Sequence, residues 1–428
     1  MLQVTTIEKD FDRCVEGLKK RGLEDASELL KDVLKLDSSR KKIQGELDEI
    51  LHESNKLAKE IGVLFQQGKK DEAEGIKSKT SELKLKSKSL GVDLNSIEAS
   101  LTKLLYDLPN IPNEAVPAGN SEEDNELVKL SDNNIPELGE HKKPHWELIE
   151  EFDIVDFELG NKVSGAGFPF YKKQGARMVR GMINYFLDQA TEAGYEEVQP
   201  PVVINEASGF GTGQLPDKEG QMYHIEANDL YLIPTAEVPI TNMYRDVILK
   251  ENQLPIKHSG HTPCFRREAG SWGSHVRGLN RLHQFDKVEI VQVVEPKNSY
   301  DVLDQMIAHV ENLIKSLDLP YRILRLCAGD LGFTSAITYD FEVFSAAQEK
   351  WLEVSSVSNF ETYQANRLKL RIKNSEGKKK LAHTLNGSAL ALPRIMAAIL
   401  ENNQAGDHIK MPEVLHSYLG FKEIRKSK

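Results

Sequence analysis

Between residues 29 and 64 an apolar side chain recurs at every seventh position without a break: Leu29, Leu36, Ile43, Ile50, Leu57 and Leu64. Val33, Leu47 and Ile61 stand four residues after three of them. This pattern fits a long helix with one narrow apolar stripe, and the stripe has to lie along another helix. A polar stretch, QQGKKDE, follows and contains Gly68. A second series then runs through Ile76, Leu83, Leu90, Ile97 and Leu104, with Leu94, Leu101 and Leu108 at the intermediate offset. Heptads of this kind usually mark a coiled coil between chains. Here the two series match in length and a short polar turn joins them, so one antiparallel helical hairpin is the simplest account. At ~1.5 Å per residue each arm is roughly 50 Å long. The three prolines of DLPNIPNEAVPAG close the second helix. Its surface carries Lys77, Lys79, Lys84, Lys86 and Lys88 against Glu82. A charge run is by default a solvated face, but on a projecting arm it can also track phosphates.

The helical arm takes up residues 1–112. Residues 113–150 read as a linker, acidic and polar from GNSEEDNE onward. The remainder, 151–428, mixes helical and extended patterns. ARMVRGMINYFLDQATEAG, YDVLDQMIAHVENLIKSLDL and ALPRIMAAILENNQ have helical periodicity, whereas LYLIP, VEIVQVV and YRILRLC read as strands. EEVQPPVVI reads as a strand interrupted by Pro200 and Pro201. No regular βαβ rhythm connects them. The expected class is therefore α+β: an antiparallel sheet flanked by helices, behind a helical arm.

Composition adds exclusions. No apolar run approaches the ~18 residues that span a bilayer, and the N-terminus lacks a basic segment followed by an apolar one. Cys14, Cys264 and Cys327 are far apart and form no CxxC pair, which argues against a disulfide framework or a thiolate zinc site. Together these fit a reducing, cytoplasmic setting. The net charge of −11 speaks weakly against nucleic acid, although a local basic face decides that question.

Neither GxGxxG nor GxxxxGK[ST] is present, so any nucleotide must be held without those loops. Arginines are the available phosphate ligands: Arg266 and Arg267 after a β-prone segment, and Arg394 at the start of a helix beyond Pro393. In LEVSS, Glu353 stands beside Ser355 and Ser356, oxygen ligands of the kind that suit Mg2+. PTAEVPI puts Thr235 and Glu237 two apart on one side of an extended segment, and HQFDKVEI puts Glu289 four residues beyond Phe285. TLNGSALALPR puts Asn386 and Ser388 in a glycine-containing turn. Singly, each is as readily a surface ion pair, a turn or a solvated strand residue.

Their order along the chain is more specific. PTAEVPITN, FRREAGSWGSHVRGLNRLHQFDKVEI, LEVSSVSNFETYQANR and TLNGSALALPRIMAAILENNQ follow one another behind the hairpin. Together with LPNIPNEAVPAG, YKKQGAR and GYEEVQPPVV, they resemble the bacterial type of seryl-tRNA synthetase over essentially the whole chain. GYEEVQPPVV is similar to class II motif 1, the RRE tripeptide with its loop to motif 2, and NGSALALPR to motif 3. The resemblance implies a homodimeric ATP-dependent ligase that activates L-serine and charges tRNA(Ser), with tRNA(Sec) a further acceptor. It implies Mg2+ on Glu353 and Ser356, and an ATP site of Arg266, Arg267, Glu268, Phe285, Glu353, Val354, Ser355, Ser356 and Arg394. Arg266 would hold the α-phosphate, Arg394 the γ-phosphate, Glu268 the adenine amino group and Phe285 the adenine face. Thr235, Ala236, Glu237, Glu289, Asn386 and Ser388 would form the serine pocket, and the hairpin would reach the tRNA. Three positions depart from the usual family residues: Arg267 for serine, Trp272 for a smaller residue and Pro393 for glycine. Ligases that pass an amino acid to a carrier protein share such a catalytic domain without the hairpin, which favours tRNA here.

Overall fold

A computed structural model describes residues 1–140, 142–268 and 277–426. The chain forms two compact units, Met1–Pro109 and Asn110–Lys428.

In the first unit, two short helices precede α1 (Ala26–Gln66) and α2 (Lys70–Asp107), which pack against each other as an antiparallel pair. Their 41 and 38 residues make each arm ~60 Å long. Gly68 turns the chain with φ +78°, a conformation that costs glycine nothing. The seam of α2 includes Ala73, Thr80 and Ser87 between the expected apolar positions, and Thr80 stays buried by donating its hydroxyl to the Ile76 carbonyl at 3.0 Å. Lys79 pairs with Glu53 across the hairpin at 2.7 Å, while Lys77, Lys84, Lys86 and Lys88 are exposed.

The second unit is built on an eight-stranded sheet of β1 (Glu126–Leu130), β2 (Glu196–Glu197), β3 (Ile256–Phe265), β4 (Gln284–Val294), β5 (Tyr321–Arg325), β6 (Ile337–Ser345), β7 (Lys350–Asn359) and β8 (His383–Ala391). Their spatial order is β1-β5-β6-β7-β8-β4-β3-β2. All neighbours are antiparallel except β2 and β3. Residues 126–130, within the 113–150 segment, thus form one edge of the sheet. Helices α3 (Lys173–Glu192), α4 (Ser299–Ser316) and α5 (Leu392–Asn402) pack on the sheet through Met182, Phe186, Met306, Val310, Met396 and Ile399, all fully buried. Burial of this many apolar groups, at ~25 cal/mol per Å2, makes the sheet and its helices one rigid support. Gly260 of β3 faces the chain entering from β2: a Cβ there would meet the Val198 carbonyl oxygen at 2.7 Å.

Two local expectations change. Thr235 and Glu237 do not share an extended segment: the backbone turns helical at Ala236 (φ −65°, ψ −18°), and Glu237 opens a short helix, Glu237–Asn242. Thr235 still faces its neighbour, since its hydroxyl accepts the Glu237 amide at 3.3 Å. Asn386 and Ser388 lie not in a turn but in β8, paired with β4 on one side and β7 on the other. Ladder hydrogen bonds from both neighbours override the weak strand preference of Asn-Gly-Ser.

Candidate active site

Side chains alternate along β4, so Phe285, Lys287 and Glu289 stand on one side of it. Glu289 is opposite Ser388 of β8, and Val291 opposite Asn386. The fully buried Glu289 carboxylate receives Thr235 Oγ1 at 2.8 Å, Asn386 Nδ2 at 2.9 Å and Lys287 Nζ at 2.6 Å. Glu237 lies beside it, receiving Gln364 Nε2 at 2.6 Å and Asn386 Nδ2 at 3.0 Å. Burial, and then the charge of Glu289, push the Glu237 carboxyl up to about 7. The result is a buried polar pocket in which nearly every donor and acceptor has an assigned partner.

Arg266 follows β3 and returns to the same cavity. Its amide donates to the His283 carbonyl at 3.0 Å, that of Arg267 to the Gln221 carbonyl at 2.9 Å. Glu268 takes φ +49°, a left-handed value uncommon outside glycine, and meets Arg281 at 3.3 Å. The Arg266 guanidinium stands 5.3 Å from the Phe285 ring centroid. Arg394 sits in the first turn of α5, where Pro393 is tolerated because no helical donor is lost. Arg394 Nη1 reaches the Glu353 carbonyl at 2.7 Å and Glu353 Oε2 at 3.4 Å. Ser355 Oγ donates to the Ser388 carbonyl at 2.6 Å, tying β7 to β8.

One cavity of about 760 Å3 is lined by Thr235, Glu237, Arg266, Glu268, Phe285, Glu353, Val354, Ser355, Ser356, Asn386, Ser388 and Arg394. Ala236 and Glu289 are buried beside it. The Arg267 side chain is exposed and does not line the cavity formed by the described residues. Trp272 and the rest of 269–276, expected as a loop, lie outside the described residues.

For a metal, Glu353 offers an exposed carboxylate and Ser356 a half-buried hydroxyl on one strand. Asp340, opposite Ser356 on β6, adds a buried carboxyl whose Oδ1 has no protein partner, and burial, then Glu353, raise its pKa well above the usual range. This all-oxygen donor set fits a hard cation that keeps waters or phosphates as its other ligands.

Lys287 and Gln364 were not anticipated as site residues, yet they hold Glu289 and Glu237 in place. Lys287 was readable, since it falls between Phe285 and Glu289 at the strand period. Gln364, on a five-residue helix, Tyr363–Arg367, has no such signal.

The family model described as "Seryl-tRNA synthetase N-terminal domain" matches residues 1–112, and "tRNA synthetase class II core domain (G, H, P, S and T)" matches residues 222–403. A protein of Salinibacter ruber named serine–tRNA ligase is 49% identical over 426 residues, 99% of each chain. The chain belongs to the seryl-tRNA synthetase family. A serine–tRNA ligase of Nautilia profundicola is 44% identical, covering 98% of this chain and all of its own. A crystal structure of seryl-tRNA synthetase from Pyrococcus horikoshii complexed with ATP matches with TM-score 0.91 and 33% identity over the full length of both. Family membership gives the second unit its class II synthetase core, and with it an ATP-dependent ligase.

Proposed function

We propose that the protein activates L-serine with ATP and transfers the seryl group to the 3′ end of tRNA(Ser), with tRNA(Sec) as a second acceptor. The observation carrying this reading is that the buried polar pocket around Glu237 and Glu289 opens into the same cavity as Arg266, Glu353 and Arg394. In the first step a serine carboxylate oxygen bonds to the α-phosphorus, the bond to the bridging oxygen breaks, and pyrophosphate leaves. In the second a terminal ribose hydroxyl attacks the acyl carbon and AMP leaves. The first nucleophile is already ionised, so positioning and charge stabilisation suffice.

Arg266 holds the α-phosphate, Arg394 the γ-phosphate, and Phe285 and Glu268 the adenine. Thr235, Ala236, Glu237, Glu289, Asn386 and Ser388 enclose serine. A substrate lacking the hydroxyl forgoes its hydrogen bonds to this polar pocket, and discrimination on that basis can reach ~10⁴-fold. Glu353 and Ser356 would hold Mg2+, which would supply positive charge to the phosphates. Arg267 contributes chiefly its backbone, which fixes the approach of Arg266. Residues 1–112 form the tRNA-binding hairpin and 151–428 the catalytic domain, to whose sheet the segment 113–150 adds the edge strand β1. The exposed edge at Glu196–Glu197, within the segment similar to motif 1, supports a homodimer. No described helix is long and apolar enough to cross a membrane, and the cytoplasm is the proposed location.

Serine-dependent exchange of pyrophosphate into ATP, run with a panel of amino acids, tests the reading. Exchange with serine alone supports it, and equal exchange with alanine or threonine overturns it.

A further inference from the structure

Behind the ATP side of the cavity lies a buried polar cluster that touches no expected substrate. His145 is fully buried at the start of a short helix, His145–Glu151. Glu401, also fully buried, lies on α5 seven residues beyond Arg394. Glu401 Oε1 receives the His145 amide at 2.8 Å and faces His145 Nδ1 at 2.7 Å. The far ring nitrogen, Nε2, accepts the Leu279 amide at 2.8 Å. These two bonds place the ring proton on Nδ1, donated to Glu401. Gln348 forms a second arm: its amide nitrogen donates to Glu401 Oε1 at 2.8 Å, and its carbonyl accepts Asn280 Nδ2 at 3.0 Å. The Asn280 carbonyl in turn accepts Arg394 Nε at 3.0 Å.

The contacts close a ring from Arg394 to Asn280 and Leu279, to His145, to Glu401 and back along α5. We infer that His145 is a positioning residue for the ATP site: it fixes the cavity wall at Leu279 and Asn280, and thereby the guanidinium of Arg394. Gly278 is shaped for this approach. It takes φ +70°, and a Cβ there would meet His145 Nε2 at 2.3 Å. A histidine serving only the fold would need its bond to Glu401. The bond to Leu279 is spent on a backbone amide of the cavity wall. The inference rests on the proposed activity, since ATP affinity is its readout.

Two substitutions separate the ring's two bonds. In His145→Asn the side-chain amide can replace Nδ1–H toward Glu401, but Leu279 loses its acceptor. In His145→Gln the carbonyl can replace Nε2 for Leu279, but the donor to Glu401 is lost. Each removes one buried hydrogen bond, so the two melting temperatures fall together. In serine-dependent exchange by the full-length enzyme, His145→Asn raises KM for ATP about tenfold with KM for serine unchanged, and His145→Gln stays within about threefold of the parent. An unchanged KM for ATP in His145→Asn, or equal rises in both variants, overturns the inference. If His145→Asn does not fold, Gln348→Ala decides: it cuts the arm to Asn280 and raises KM for ATP alone, and no rise overturns the inference. Absence of serine-dependent exchange in the parent enzyme would overturn the proposed activity instead.

Discussion

Glu237 and Glu289 share one donor, the Asn386 side-chain amide, which lies 3.0 Å from the first carboxylate and 2.9 Å from the second. Two carboxylates this close do not ionise independently. Glu289 has Lys287 at 2.6 Å and Thr235 at 2.8 Å as further partners, and after burial it is the second cause of the raised Glu237 value. Glu237 keeps its proton up to about pH 7.

A pH dependence with a defined sign follows. The folded value of Glu237 lies above its ordinary 4.5, so the folded chain holds a proton that the unfolded chain has released. That stabilisation is complete below about pH 4.5, declines as pH rises and is lost above about 7. Glu237→Gln carries no such proton. Its stability relative to the parent therefore rises between pH 5 and pH 8, by up to ~3 kcal/mol. Urea unfolding at both values measures it, and a shift in the opposite direction would contradict the assignment.

Lys287 and Glu289 are an ion pair with both side chains nearly inaccessible. Lys287→Met leaves the Glu289 charge without its cation, and the expected loss is ~3–5 kcal/mol of unfolding free energy. The double change Lys287→Met with Glu289→Gln recovers part of it. Equal losses in the single and double variants would show that the pair is not the cause.

Arg266→Ala removes a guanidinium from the cavity without opening the core, because the Arg266 side chain is only half-buried. Adenylate formation is expected to fall ~10²–10³-fold with the melting temperature unchanged. Near-parental pyrophosphate exchange would refute the role given to Arg266.

Lys77, Lys84 and Lys88 are exposed at helical spacing on α2. Changing all three to glutamate is expected to leave serine activation intact and weaken tRNA charging. The salt dependence of tRNA binding should become shallower by roughly one unit of slope per lost phosphate contact. Replacing residues 35–100 by a short turn should have the same effect more strongly. Unchanged charging by the shortened enzyme would exclude the hairpin as the tRNA-binding element.

The hairpin was legible because a seven-residue period admits so few structures, and its two helices run where the period does. The polar residues of its seam were not: Thr80 reads as a surface residue until its hydroxyl bonds to its own helix. The strand around Glu289 was legible from its β-branched run. The short helix at Glu237 and the strand at Asn386 were not, because pairing and packing by distant segments decide them. Gln364 was invisible for the same reason: its partners Glu237 and Thr384 come from other parts of the chain.

The strand order has a consequence for synthesis. The hairpin joins helices separated by one turn, so it can fold as soon as residue 107 has cleared the ribosome. The cavity is different: β4 sits between β3 and β8, and α5, with Arg394, comes later still. A growing chain therefore carries a finished hairpin for nearly three hundred residues before its ATP cavity is complete. Glu237 and Glu289, once made, still wait for Gln364 and Asn386, which are translated about a hundred residues later, a long-range closure of the kind that makes folding slow.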